Sequence, residues 1–275
     1  MSISVQSNQA ALLALQNLNA TSDKLQSTEN RISTGLQVSS SKDNAAVWAI
    51  AQNQRSDIGS LSSVKMSLNR ATSISDVSLA AGQTVSDLLV ILREKIVAAM
   101  DTSQSAQSRT ALDTDFKSIL KQITQVLQNA TFDNTNILDG TNTSVKFLSN
   151  ADASTFITLQ GQDMTLGGTI ITLTALTAIT TATLAGAALT QLDASMNNVN
   201  LAMATLGSDS RQIDAHSKFV TKLSDALELG VGHLVDADMA RESAHLQALQ
   251  VQQQLGAQSL SIANQSPQIV LSLFK

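Results

Sequence analysis

Apolar residues return along this chain at steps of three and four, the spacing of a helix that buries one stripe. In the first segment the stripe runs Leu15, Leu18, Ser22, Leu25, Glu29, Ile32 and Leu36, a seam with two polar interruptions. Gly35 follows Ser33 and Thr34 and reads as the stop of this helix. Ser39 to Ser41 read as a loop, with Ser41 the expected N-cap of the next helix. A second seam runs Leu61, Val64, Leu68 and Ala71, weakens at Ser75, Ser78 and Gly82, and resumes at Val85, Leu89, Leu92, Ile96 and Ala99. A parallel stripe through Ile74, Val77, Ala81 and Leu88 covers the weak part, so one long helix is expected from about Asp43 to Met100. Asp101 to Ser108 is a polar turn region, and Leu112, Phe116, Ile119, Ile123 and Val126 mark one face of a third helix.

The period then changes. Thr131 to Gly140 is rich in Asn, Asp and Gly, all turn formers. Val145–Leu148 and Phe156–Leu159 flank Ser149–Asp152 as a hairpin, and Thr169–Leu173 follows two glycines as a further strand candidate with β-branched bias. Helix returns near Ala185, with Leu189, Leu192, Met196, Val199, Met203 and Leu206 in rhythm. Gly207 and Ser208 interrupt it, and Ile213, His216, Val220, Leu223, Leu227, Gly230 and Leu234 carry it on. Gly230-Val231-Gly232 reads as a bend between helices. The last helix begins near Asp236, where Asp236 and Asp238 suit the positive end of a helix dipole. Its apolar residues cover a face wider than a two-helix seam requires.

These elements predict a mainly α fold: a long antiparallel helical hairpin or coiled-coil bundle, its N- and C-terminal helices paired, with a small β-hairpin region near 131–180. Residues 1–42 and 236–275 are expected to form a terminal coiled-coil domain, and 43–235 a helical body carrying the β-rich island. The ends stand apart in composition. No Asp, Glu, Lys or Arg occurs from Met1 to Ser22 or from Leu246 to Phe274, although charged residues make up 14% of the chain. A helix faced with Gln, Ser, Asn and Thr stays in water, yet it packs on every side without burying an unpaired ion. Such ends are expected to pack with each other and with neighbouring subunits.

The net charge of -5 and the 3% aromatic content without Tyr argue against a nucleic-acid partner. Cysteine is absent, which excludes disulfides, thiolate metal sites and a Cys nucleophile. The first basic residue is Lys24, so the N-terminus reads as cytosolic or as exported by a route without a cleaved signal. The C-terminal charge-free run carries too many amides for lipid, and residues 164–192 are richer in Thr, Ala and Gly than in Leu, so no membrane span is expected. Glu242-Ser243-Ala244-His245 is a lone Glu-x-x-His, without the second copy a di-iron bundle uses. No phosphate loop, dinucleotide glycine motif, nucleophile elbow or zinc-protease motif is present. No catalytic residue, metal site or cofactor is assigned, and the chain does not read as an enzyme.

Several runs resemble bacterial flagellin. Ala14-Leu15-Gln16-Asn17-Leu18-Asn19 is similar to the family's opening segment, and Arg31-Ile32-Ser33-Thr34-Gly35 to its R-[LI]-S-[ST]-G run. Ser41-Lys42-Asp43-Asn44-Ala45-Ala46 resembles A-K-D-D-A-A, with Val47 and Trp48 departing from the family's Gly-Leu. Thr131 to Gly140 looks like the F-N-G-x-x-L-L-D-G turn, with Asn134-Thr135 in place of Asn-Gly. Leu234 to Ser243 resembles V-A-D-A-D-Y-A-x-E-x, and Gln253–Gly256 with Leu260–Gln268 match nearly residue for residue.

This resemblance implies a structural subunit of the flagellar filament, extracellular and exported without a cleaved signal by the flagellar type III apparatus. The terminal helices would form a hollow inner tube, the long helices an outer shell, and the β-island the outside of a minimal subunit. Leu15, Leu18, Leu25, Ile32, Leu246, Leu249, Leu255, Leu260, Ile262, Ile269 and Leu271 are its expected assembly residues. Thr141, Thr143, Ser144, Ser154 and Thr155 are candidate O-glycosylation positions. Implied partners are further copies, alone or with other flagellins, an export chaperone, the filament cap and hook–filament junction proteins. The alternative reading, from the same superfamily, is a hook–filament junction protein.

Overall fold

The structure, a computed structural model, describes residues 8–272, and side chains as far as residue 265. The described elements are α1 (Gln9–Thr34), α2 (Ala45–Met100), α3 (Ala106–Asn129), β1 (Ser144–Leu148), β2 (Phe156–Gln160), α4 (Ala182–Val235) and α5 (Met239–Ser272). The chain divides into two compact units, Met1–Ser56 with Ala226–Lys275, and Asp57–Asp225.

In the first unit the helix ends follow local chemistry. Asn8 caps α1, its Oδ1 accepting the Ala11 N–H at 3.1 Å. Gly35 ends the helix in the left-handed region (φ 71°) and returns its N–H to the Arg31 carbonyl at 2.8 Å. The N-cap of α2 is Asn44, whose Oδ1 accepts from Val47 N–H, and not the expected Ser41. The reason lies one residue earlier. Asp43 Oδ2 gathers the backbone N–H and hydroxyl groups of both Ser39 and Ser40, which closes the serine run into a turn of its own. These donors, the Ser40 N–H foremost and the Ser39 hydroxyl next, hold the Asp43 carboxyl below its usual 3.8. The expected bend at Gly230–Gly232 is absent. Neither glycine takes a positive φ, and α4 continues to Val235 with Val231 and Val235 buried.

The second unit is built on seams. Every position of the expected α2 stripe from Leu61 to Ala99 is buried, Ser75, Ser78 and Gly82 included. Those small residues are part of the packing rather than a weak point. A Cβ on Gly82 would collide with Met203 Sδ of α4, so glycine is what lets the methionine seat there. The α4 seam is Ala185, Ala188, Leu192, Ser195, Val199, Ala202 and Leu206, all buried, and it runs unbroken past Gly207. Leu189, Met196 and Met203, expected in it, flank it half-buried. By composition α2 is also long and apolar enough to cross a membrane, with a mean hydropathy of 1.3 over its best 18 residues. Its seam positions are nevertheless packed inside this unit, while Met66, Val90, Ile91 and Val97 of the same helix stay exposed.

The β-island folds as one antiparallel hairpin, with Val145 opposite Leu159 and Phe147 opposite Ile157, and Phe147, Ile157 and Leu159 turned inward. Asp133 (φ 47°) and Asn134 (φ 59°), and not Asn134-Thr135, make the tight turn, because Asp and Asn tolerate the left-handed region. Thr169–Leu173 is not a strand and makes only a single bridge, Leu166 to Ile171. Its backbone is satisfied by α4 instead: Ser195 Oγ accepts from Thr172 N–H at 3.0 Å, and Asn198 Nδ2 donates to the Thr169 and Ile170 carbonyls. Asp113, 5% exposed, accepts from Ile179 N–H at 2.8 Å and from Lys117 Nζ at 2.7 Å. Asn136 bridges the Leu127 carbonyl and the Leu138 N–H.

Two glycines should respond with opposite sign. A Cβ on Gly161 would overlap the Asn142 carbonyl oxygen, whereas one on Gly207 meets nothing. Gly161→Ala is expected to destabilise the second unit by about 2 kcal/mol or more, and Gly207→Ala to stabilise it by up to ~1 kcal/mol. Equilibrium unfolding in urea, followed by helical circular dichroism, measures both.

Candidate functional site

The uncharged ends meet as an antiparallel helix pair. Positions on α1 that turn inward step by three and four: Ala11, Ala14, Leu18, Thr21, Leu25, Thr28, Ile32 and Gly35. On α5 they are Glu242, Leu246, Leu249, Gln253, Gly256, Leu260 and Ala263. This is heptad packing, and small residues on both helices allow a close approach. Gly256 lies against Leu18, where a Cβ would stand 3.3 Å from the leucine methyl.

Polar pairs mark the seam at intervals. Asn8 Nδ2 donates to the Ala263 carbonyl at 2.7 Å, Gln253 Nε2 to Ser22 Oγ at 3.4 Å, and Arg31 Nη1 to Glu242 Oε1 at 3.3 Å. Thr28, 3% exposed, meets His245 Nδ1 at 3.4 Å. The Glu-x-x-His of the sequence therefore spends both side chains on α1. At the inner end the strand-like residues after Gly35 close against the α4–α5 junction. Val235 O accepts from the N–H groups of Gln37 and Val38, and Gly35 O from Ala237 N–H at 2.9 Å. Asp238 caps α5 through Ala240 and Arg241 N–H.

The α1 seam differs from expectation at alternate positions. Leu18, Leu25 and Ile32 point inward as read, and Ser22 is half-buried beside Thr21, but Ala14 and Thr28 replace Leu15 and Glu29 between them. Leu15 is left 42% exposed. A stripe chosen by side-chain size selects the larger neighbour, while the partner helix selects the smaller one that lets the axes approach. Of the expected assembly residues, Leu249 is buried, and Leu18, Leu25, Ile32, Leu246 and Leu260 are half-buried. Leu15, Leu255 and Ile262 face outward, and the side chains of Ile269 and Leu271 lie outside the described residues. Thr141, Thr143, Ser144, Ser154 and Thr155 are all exposed, on the hairpin and the loops beside it.

α5 carries a second seam, of which Leu255 and Ile262 alone are among the expected assembly residues. Ala244, Ala248, Val251, Leu255, Gln258, Ile262 and Gln265 also step by four and three, and every one is exposed. Two residues separate this set from the first, a turn of roughly 200°, so it occupies the opposite face of the helix. Leu255 is 61% and Ile262 64% exposed, and on α1 Leu12 and Leu13 are 57% and 60% exposed. Contiguous apolar exposure on this scale marks a surface that another molecule covers.

Comparison with known proteins agrees with this geometry. Residues 5–143 match the family model for the bacterial flagellin N-terminal helical region, and residues 189–274 that for the C-terminal helical region. The chain is 51% identical to flagellin FljJ of Caulobacter vibrioides over 278 residues, covering 100% of this chain and 99% of that relative. Among solved structures, Bacillus cereus flagellin aligns with a TM-score of 0.50 at 23% identity, over 56% of this chain and 88% of that one. A flagellar hook-associated protein from Vibrio parahaemolyticus aligns at 0.58 and 13% identity, over 70% and 100%, which is a likeness of fold.

The joint after α1 gives a direct test. Gly35→Ala forces a Cβ into the left-handed region, a cost of about 1 kcal/mol, and Gly35→Asn should cost less. Faster hydrogen exchange at the Ala237 amide, which donates to Gly35 O, is the expected signature.

Proposed function

The chain belongs to the bacterial flagellin family, and on that premise we propose that its uncharged terminal helices join one copy to the next. It is a structural subunit of the extracellular flagellar filament, and members of this family self-assemble into that filament. In the proposed arrangement residues 1–42 and 236–275 form the coiled-coil inner tube of a hollow helical fibre, and 43–235 its helical shell, with the hairpin outermost.

The single observation that carries this reading is the second seam of α5. One face of that helix is covered by α1 within the same chain; the opposite face repeats the heptad and stays bare. The assembly residues then divide by task. Leu18, Leu25, Ile32, Leu246, Leu249 and Leu260 hold the subunit's own pair together, while Leu15, Leu255 and Ile262 meet neighbouring copies. Ile269 and Leu271 are assigned to the same assembly region. The absence of charge from 246 to 274 supports this, because burying a second face there desolvates no ion. No observation favours the hook–filament junction alternative.

Further parts of the proposal follow the family. The subunit leaves the cell through the flagellar export apparatus without a cleaved signal, escorted by an export chaperone. It elongates the filament beneath its cap, from a base of junction proteins. Thr141, Thr143, Ser144, Ser154 and Thr155 are proposed as O-glycan acceptors, for which exposure beside the hairpin is the support.

Two aspartate substitutions separate the tasks. Leu255→Asp should leave helicity and melting of the monomer unchanged and yet prevent polymerisation, because a buried unpaired carboxylate costs at least ~3 kcal/mol, or more than about a hundredfold in critical concentration. Leu260→Asp should also loosen the α1–α5 pair. Electron microscopy and sedimentation of purified protein at rising concentration provide the readout, and filaments of normal yield from Leu255→Asp would overturn the reading.

A further inference from the structure

The apolar pattern of the α1–α5 seam does not by itself choose one alignment. Leu18, Leu25 and Ile32 recur every seven residues on α1, and Leu249, Gly256 and Ala263 every seven on α5. Sliding the helices past each other by one heptad, about 10 Å, would set Leu25 against Gly256 in place of Leu18 and Leu18 against Ala263. Both contacts remain small against large. The charge-free ends supply no ion pairs to correct such a slip; Arg31–Glu242 and the backbone bonds of Gly35, Gln37 and Val38 to the α4–α5 junction hold the alignment at the inner end only.

We propose that the seam's polar pairs, Thr28 with His245 foremost and Ser22 with Gln253 beside it, fix the register of α1 against α5. The slip that the leucines tolerate would place Thr28 among Leu249 and Gln253, Ser22 beside Leu260, and Arg31 beside Leu249. Thr28 is 3% exposed, so in the slipped pair its hydroxyl must leave His245 for Gln253, which in turn leaves Ser22 without its amide partner. A polar residue in an apolar seam is the best-attested means of setting alignment at little gain in stability.

The inference rests on the assembly reading and deepens it. A helical polymer joins identical surfaces over and over, so each copy must present its outward seam at one height. A copy slipped by a heptad would carry Val251, Leu255 and Ile262 displaced by about 10 Å relative to α1. Thr28 and His245 are thus positioning residues, which determine where the joining surface lies without forming part of it.

The chain holds no cysteine, so two can be introduced as the only labelling sites. Ser27→Cys and Ala257→Cys, both at exposed positions, take spin labels, and labelled full-length chains are diluted into unlabelled ones and grown into filaments. Pulsed electron resonance should give one inter-label distance. Adding Thr28→Val with His245→Leu should keep the subunit in filaments but split the distances, with a second, shorter population, because the slip carries Ala257 about 10 Å along the axis toward Ser27. Thr28→Ser, which keeps the hydroxyl, should restore a single distance. One unchanged distance in the Thr28→Val, His245→Leu chain would overturn the proposal. So would loss of any defined distance, or exclusion from filaments, since the pair would then carry stability and not alignment. The result is separable from the assembly reading, which stands or falls on Leu255→Asp, because register is read from distance and not from filament yield.

Discussion

Everything in the terminal helices depends on burying apolar surface without burying charge. A helix in water normally reserves one face for ions, and that face cannot be covered without desolvating them. α5 gives up that reserve beyond Leu246, and its polar positions are amides and hydroxyls. Two opposite faces can then be covered, one by α1 of the same chain and one from outside. Arg31 and Glu242 stand where the charge-free stretch begins, and they are paired with each other.

The second constraint is closeness. In α1 and α4 alternate seam positions are Ala, Ser, Thr or Gly, and in α2 Ala71, Ser75, Ser78 and Gly82 follow one another in mid-seam. A seam of leucine at every step would hold the helix axes apart. Small residues bring the backbones together and let flanking side chains such as Met203 settle into the spaces. The hydroxyls admitted in this way mostly find partners on their own helix, as Ser78 does with the Ile74 carbonyl. Buried groups of longer reach hold irregular segments instead: Asp113 ties down Ile179, and Ser195 holds Thr172.

These two constraints divide the molecule's work. The body of the chain has a core closed by its own seams and by a hairpin whose inward face is filled, with Met66, Leu176, Leu201 and Phe219 left exposed outside it. The paired ends are closed on one side only. Stability belongs to the first arrangement, and in the proposed assembly the capacity to continue from copy to copy belongs to the second. A flagellin needs both, since its filament is built from subunits that must be complete as folded bodies and incomplete as surfaces.

Much of this was legible in the chain alone. Helix periodicity placed the long helices, Gly35 ended α1, the hairpin stood between its turn residues, and the uncharged ends announced pairing. These are local properties, set by backbone freedom, capping and the sidedness of a helix. Tertiary structure decided which of two adjacent residues enters a seam, because Leu15 or Ala14, Met196 or Ser195, is a choice made by the partner helix and its distance. It decided that Thr169–Leu173 would rest on Ser195 and Asn198 and not join the sheet, because β-propensity offers backbone groups but cannot name their partners. It also decided that Gly230–Gly232 would stay helical, since glycine permits a bend and only the surrounding packing requires one.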